Sequence, residues 1–226
     1  AGLVYEVVWM RYLALFLGST AYGVIAALVA FMGGLALGNA WIGRFADRIG
    51  RPLALYAWLE IGIGLYALVF PAYYEFCHQG FVRVAAGWEP GSRGLLVLKF
   101  GFSLLTIFFP TLLMGGTLPV LVKLVTRSLG ELRERVSTLY FINSAGAVVG
   151  CCVADFWWIP VLGLQATVWA GAGLNLLVGA VGLVVSSWLQ EGAVRSHARA
   201  EPVASLASEE ETFTPSELRL ASLQVV

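Results

Sequence analysis

Long apolar runs alternate with short charged interruptions along this chain. The runs extend from the first residue to about Leu17, from Thr20 to Ile42, from Leu53 to Tyr73, from Gly94 to Leu124, from Ser137 to Trp158 and from Leu164 to Trp188. Most match or exceed the roughly 20 helical residues that cross a hydrocarbon core of about 30 Å. Backbone in that core has no water to bond, so each run is predicted as a helix. The first run begins within apolar sequence with no basic leader before it, and its start is expected to be cut. The fourth is over-long and holds Pro110 and Pro119, so a tilt or a kink is expected there.

The interruptions set the predicted topology. Arg44, Arg48 and Arg51 follow the second run; Arg127, Arg133 and Arg135 stand against Glu131 and Glu134 after the fourth, with Lys123 nearby. Short basic loops are retained in the cytoplasm during insertion. The segment from Tyr74 to Arg93, polar and aromatic with Cys77, His78 and Trp88, then falls outside. The pattern predicts an all-α integral membrane protein, a bundle of six transmembrane helices over 1–189 with both ends cytoplasmic. Beyond it, residues 190–213 form a linker rich in alanine, serine and glutamate that is expected to be disordered. Thr214-Pro215-Ser216-Glu217 has the cap, first-turn proline and third-position glutamate of a helix start, so a further helix is predicted over 214–226.

Composition agrees with a bilayer and narrows the chemistry. Hydrophobic residues make up 59% and charged residues 12%, against roughly 25% charged in soluble domains. Fourteen basic and fourteen acidic residues cancel, leaving no field to attract nucleic acid. Cys77, Cys151 and Cys152 form no disulfide framework, and His78 and His197 lie outside the runs, so no metal site, cofactor or catalytic group is assigned.

Charges inside the runs are the candidate chemistry. Glu6, Arg11, Glu60, Lys99 and Asp155 lie within them, together with the polar Asn143. An intramembrane charge costs a few kcal/mol unless it faces protein or water. Glu6 and Arg11 are five residues apart, about 140° around a helix, and do not stack as an i,i+4 pair. Two readings stay open. Glu6, Asp155 and Glu60 could hold a cationic solute beside Tyr5 and Trp9. Alternatively, Glu6, Arg11, Lys99 and Asp155 neutralise one another and lock helices one, four and five together. Asn143 fits either a site or an interhelical hydrogen bond, and Trp157, Trp158 and Trp188 read as interface anchors. Gly34-x-x-x-Gly38 is a close-packing spacing, and helices two and five are expected to present small residues to a second bundle or a partner.

The loop after the second run, G-x-x-x-D-R-x-G-R on Gly43, Asp47, Arg48, Gly50 and Arg51, resembles the loop between helices two and three of major facilitator superfamily transporters. Pro52 stands where that family often has another basic residue. The resemblance implies a gating role for the loop and one half of a major facilitator fold for the bundle.

A wider set of stretches resembles the membrane domain of spermidine-synthase-like proteins, in which transporter-like helices are fused to a polyamine aminopropyltransferase. The matching pieces are Tyr5-Glu6-Val7-Val8-Trp9 with Arg11, Leu17-Gly18-Ser19, the Gly43 loop, Pro110 to Pro119 and Asn143 to Gly150. This implies a bacterial cytoplasmic membrane protein whose first bundle is followed by a second and, in some relatives, by the enzyme domain. Residues 1–226 would then be a transporter-like half-domain, non-catalytic by itself, with the bilayer, a second bundle and a polyamine as its partners. Two alternatives are carried with it: an accessory subunit within a larger membrane complex, and half of a small-solute transporter.

Overall fold

The computed structural model describes residues 2–17, 21–46, 48–89, 91–125 and 129–211, with side chains described at 2–15, 24–46, 48–89, 91–125 and 135–190. Every element among them is helical: α1 (Gly2–Leu17), α2 (Ala21–Ala46), α3 (Pro52–Ala85), α4 (Arg93–Val125), α5 (Leu129–Val153), a π turn (Ala154–Trp158) and α6 (Ile159–Glu211). Four stretches are long and apolar enough to cross a bilayer, namely Val24–Ala46, Pro52–Ala85, Arg93–Val125 and Arg135–Gln190. The chain is thus an all-helical protein suited to a lipid environment.

Those four stretches replace the six separate spans expected. α1 has 16 residues, about 24 Å at 1.5 Å per residue, short of the hydrocarbon thickness. The last two runs join into one stretch of 56 residues. Helices also begin earlier and end later than the runs suggest. The expected outer segment after Tyr73 is helical to Ala85, because Tyr74, Cys77 and Phe81 continue the buried face at helical spacing. α5 starts at Leu129, within the expected basic loop, where glutamate and arginine favour a helix. α6 continues to Glu211 through the expected disordered linker, whose alanines and glutamates are strong helix formers. The predicted helix over 214–226 lies outside the described residues.

Two compact units are present, Ala1–Leu183 and Val184–Val226. The first contains the core: Tyr5, Val8, Trp9 and Leu13 recur on one face of α1 and pack with Phe31, Ile63, Ala67, Phe70, Ile107 and Val168. Trp9 stacks on Tyr5 and lies against Phe70, with both ring-centroid distances 5.2 Å. The second unit takes in the last part of α6 and is helical to Glu211.

Contact registers fix the helix directions within the first unit. α1 runs parallel to α3, with Trp9 at Phe70 and the Tyr74 hydroxyl donating to the Tyr12 carbonyl at 2.8 Å. α4 is antiparallel to α3, since Tyr73 donates to the Leu105 carbonyl at 3.1 Å and Phe81 meets Phe102 at 5.6 Å. α2 and α4 run parallel at very close range. A Cβ on Gly34 would overlap the Thr111 side chain, and one on Gly38 would overlap the Leu112 carbonyl. The Gly34-x-x-x-Gly38 face thus packs inside the unit against α4, the close helix approach that its spacing predicts.

The end of the chain's first unit folds back. Gly150 of α5 neighbours Val4, and Asp155 in the π turn reaches Arg11, so α5 parallels α1. α6 runs the other way: the Trp169 indole donates to the Leu68 carbonyl at 3.3 Å, Gly64 faces Ala172 and Leu176, and Gly179 faces Ala57 and Ile61. Between them Gly163 has φ 80° and ψ 172°, a conformation that interrupts the helix.

Candidate functional site

A cavity of about 710 Å³ lies among all six helices of the first unit. Its apolar wall comes from Phe31, Met32 and Leu35 of α2, Ile63 of α3, Met114 of α4 and Leu174 of α6. Asn39, Tyr56, Glu60, Thr117, Asn143 and Asn175 project into that lining from α2 to α6. Glu60 is the single charged side chain among the described lining residues. Its Cα lies eight residues beyond Pro52, about 12 Å along α3 at 1.5 Å per residue, which sets the site in the half nearer the Gly43 loop.

Local helix geometry arranges the polar groups. Tyr56, one turn before Glu60, donates its hydroxyl to the carboxylate. Thr117 uses its proton on the Met114 carbonyl at 2.8 Å and leaves its oxygen free to accept. Asn175 is 3% exposed, and its side-chain oxygen has no hydrogen-bond partner among the described residues. A buried acceptor left unpaired costs about 1–3 kcal/mol, so it gains from any donor that enters. Asn39 and Asn143 are exposed and stand at a mouth between α2 and α5. One carboxylate and several amide or hydroxyl oxygens within an apolar wall suit a small molecule with a positive end and N–H donors.

Of the residues singled out in the sequence, Glu60 and Asn143 reach this cavity. Glu6 is half-buried on α1 and is not in the lining. Arg11 forms an ion pair with Asp155, tying α1 to the π turn at the end away from the Gly43 loop. Lys99, half-buried near the start of α4, lies outside the lining too. Tyr5 and Trp9, expected beside a cation, are core residues at 0% and 1% exposure. The three acidic residues are thus distributed over different places.

The Gly43 loop is anchored by a residue whose charge had signalled only topology. Lys123, in the last turn of α4, donates to the Ala46 carbonyl at the end of α2 and to the Ile49 carbonyl at 3.3 Å. Ala46 closes α2, where a cation is favoured, and Ile49, whose N–H donates back to the Ala46 carbonyl at 3.1 Å, lies in the loop itself. Gly43 lies against Pro119; Arg48, Gly50 and Arg51 are exposed; Asp47 falls outside the described residues. Asn39, Tyr56, Thr117 and Asn175 were not anticipated either. The signal for Asn175 was an amide in an otherwise apolar run, a feature that lipid disfavours unless protein satisfies it. Comparison with known protein families, curated proteins and solved structures gives no match, so the site is read from its own chemistry.

Proposed function

We propose that this chain is a six-crossing, transporter-like half-domain of a membrane protein whose solute site is the Glu60 cavity, and that the solute carries an ammonium group. The observation that carries the reading is Glu60 itself, the single charged side chain among the described residues of an apolar, amide-lined cavity. A charge in that position is costly without a counter-charge, and the cavity has space for one. The helix directions alternate along the chain: the four stretches supply five crossings, with Arg135–Gln190 counted twice because α6 returns alongside α3 after Gly163, and the shorter α1, parallel to α3, would be the sixth. The mouth between α2 and α5 is where a second bundle would close over the solute, as rocking about a midplane site requires. The likeness to spermidine-synthase-like membrane domains of bacteria is consistent with a polyamine as the solute. No catalytic step is assigned to this chain.

The test is equilibrium binding to the purified chain in lipid nanodiscs, using putrescine and a neutral diol of the same length. Putrescine should bind and the diol should not. Glu60→Gln removes the charge but keeps the shape, and should weaken putrescine at least tenfold, since a charge-assisted hydrogen bond is worth about 1.5–3 kcal/mol. Equal binding by the variant would overturn the assignment.

The orientation is tested separately. With Cys77, Cys151 and Cys152 replaced, single cysteines at Arg48 and Gln79 should react with an impermeant thiol reagent from opposite faces of the membrane, Arg48 from the cytoplasmic one. Both positions are exposed at opposite ends of the α2–α3 pair. Reaction of both from one face would rule the crossing pattern out.

A further inference from the structure

A second concavity lies far along the molecule from the Glu60 cavity. It has a volume of about 640 Å³ and is lined by Trp88, Arg93, Val97, Leu98, Phe102 and Leu105 with the glycines between. The Trp88 ring closes one end against Gly94, where an added Cβ would meet it at 2.5 Å. Phe102, held edge-on by Phe81 at 5.6 Å, forms a wall. Val97 and Leu105 are 71% and 58% exposed. The lining is apolar along its length and carries a cation, Arg93, at one end only.

Helix length sets the depth of this groove in a bilayer. α4 is bounded by basic side chains, Arg93 in its first turn and Lys123 in its last. Thirty residues separate them, about 45 Å at 1.5 Å per residue, which matches a bilayer of about 40–45 Å measured with its headgroup layers. Arg93 then lies at phosphate level in the leaflet opposite the Gly43 loop, with Trp88 beside it as an interface residue. From Arg93 to Leu105 the groove descends twelve residues, about 18 Å, close to the roughly 15 Å of hydrocarbon in one leaflet.

We propose that this groove is a binding site for one phospholipid with an anionic headgroup, its phosphate on Arg93 and one acyl chain lying between Trp88 and Leu105. Charge complementarity selects the headgroup: over the span of the groove the charged residues from α3 to α4 are Arg83, Arg93 and half-buried Lys99 against Glu75 and Glu89, a net charge of +1, with Arg93 alone in the lining. A guanidinium meets a phosphate through two parallel hydrogen bonds, which a zwitterionic headgroup partly screens with its own ammonium. The single-leaflet length and the apolar lining select an acyl chain over a polar solute. This site is independent of the Glu60 reading.

The experiment uses the full chain, extracted from vesicles containing equal amounts of phosphatidylglycerol and phosphatidylcholine with the same acyl chains. Retained lipid is counted by native mass spectrometry. Phosphatidylglycerol should be retained at least threefold over phosphatidylcholine, and Arg93→Gln should bring the ratio to about one. Gly101→Leu fills the groove, because a Cβ there meets nothing within 4 Å, and should reduce retention of both lipids severalfold at an unchanged unfolding midpoint. If that midpoint falls, Val97→Phe serves as the groove-filling variant. An equal ratio in the unaltered chain, or a preference that survives Arg93→Gln, would overturn the headgroup assignment. Full retention with the groove filled, or a second copy of the chain retained in place of lipid, would overturn the site.

Discussion

Gly38→Val should lower the stability of the bundle by about 3 kcal/mol, at the upper end of the cost of overpacking. Two opposing effects meet at this position. Leaving glycine helps the helix, since glycine in a helix interior costs roughly 0.5–1 kcal/mol relative to alanine. The steric term is larger because the obstacle is the Leu112 main chain of α4, which cannot rotate out of the way as a side-chain tip could. α2 and α4 must separate, and their further close approaches, Gly34 against Thr111 and Gly115 against the Leu35 carbonyl among them, are loosened with it. Gly33→Val on the same helix is the control, because a Cβ there has nothing within 4 Å. Unfolding midpoints in mild detergent should drop sharply for Gly38→Val and barely for Gly33→Val. Equal midpoints would mean that the two helices do not approach as described.

Gly163→Val should be nearly as costly, for a reason that involves no neighbour. At φ 80° and ψ 172° the backbone occupies a region open essentially to glycine alone, and a side chain there costs about 1–3 kcal/mol. A Cβ at this position would otherwise enter open space, so packing does not confuse the result. The functional consequence follows from topology. Asn175 and Glu60 share a cavity only because α6 returns beside α3 after this residue. Gly163→Val should therefore lose both thermal stability and putrescine binding, while Gly173→Val, also in open space but helical, should keep both. Binding retained at full strength by Gly163→Val would show that the reversal does not depend on this backbone geometry.

Much of the architecture was legible because lipid makes a simple demand, that a backbone out of water bond to itself. Apolar runs and basic interruptions therefore marked the helices and their order. Boundaries were less legible where polarity and helicity part company. The segment after Tyr73 reads as a loop by its polar residues, yet Tyr74, Cys77 and Phe81 hold it to the core as helix. Residues beyond Gln190 lack an apolar face but have high helix propensity, and α6 runs through them to Glu211.

The site was half legible. Glu60 stood out because a carboxylate in an apolar run is expensive, whereas Asn39 and Asn175 are cheap enough to pass as ordinary packing. Which acids share a cavity depends on helix order around the bundle, and that is not written in any one run. Arg11 illustrates the point: it is nearer in sequence to Glu6, but its partner is Asp155, 144 residues away.

The aromatic core around α1 also divides the chain's light-emitting groups into two populations. Trp9 is 1% exposed and enclosed by Tyr5, Tyr66 and Phe70. Trp41, Trp58, Trp88, Trp157, Trp169 and Trp188 are each at least 45% exposed, and the eighth, half-buried Trp158, is removed from the signal by Trp158→Phe. A quencher dissolved in the bilayer reaches the outer group by collision and leaves Trp9 dark to it, so residual emission under saturating quencher is the private signal of the α1–α3 contact. That makes one indole a built-in reporter of whether the first helix is seated.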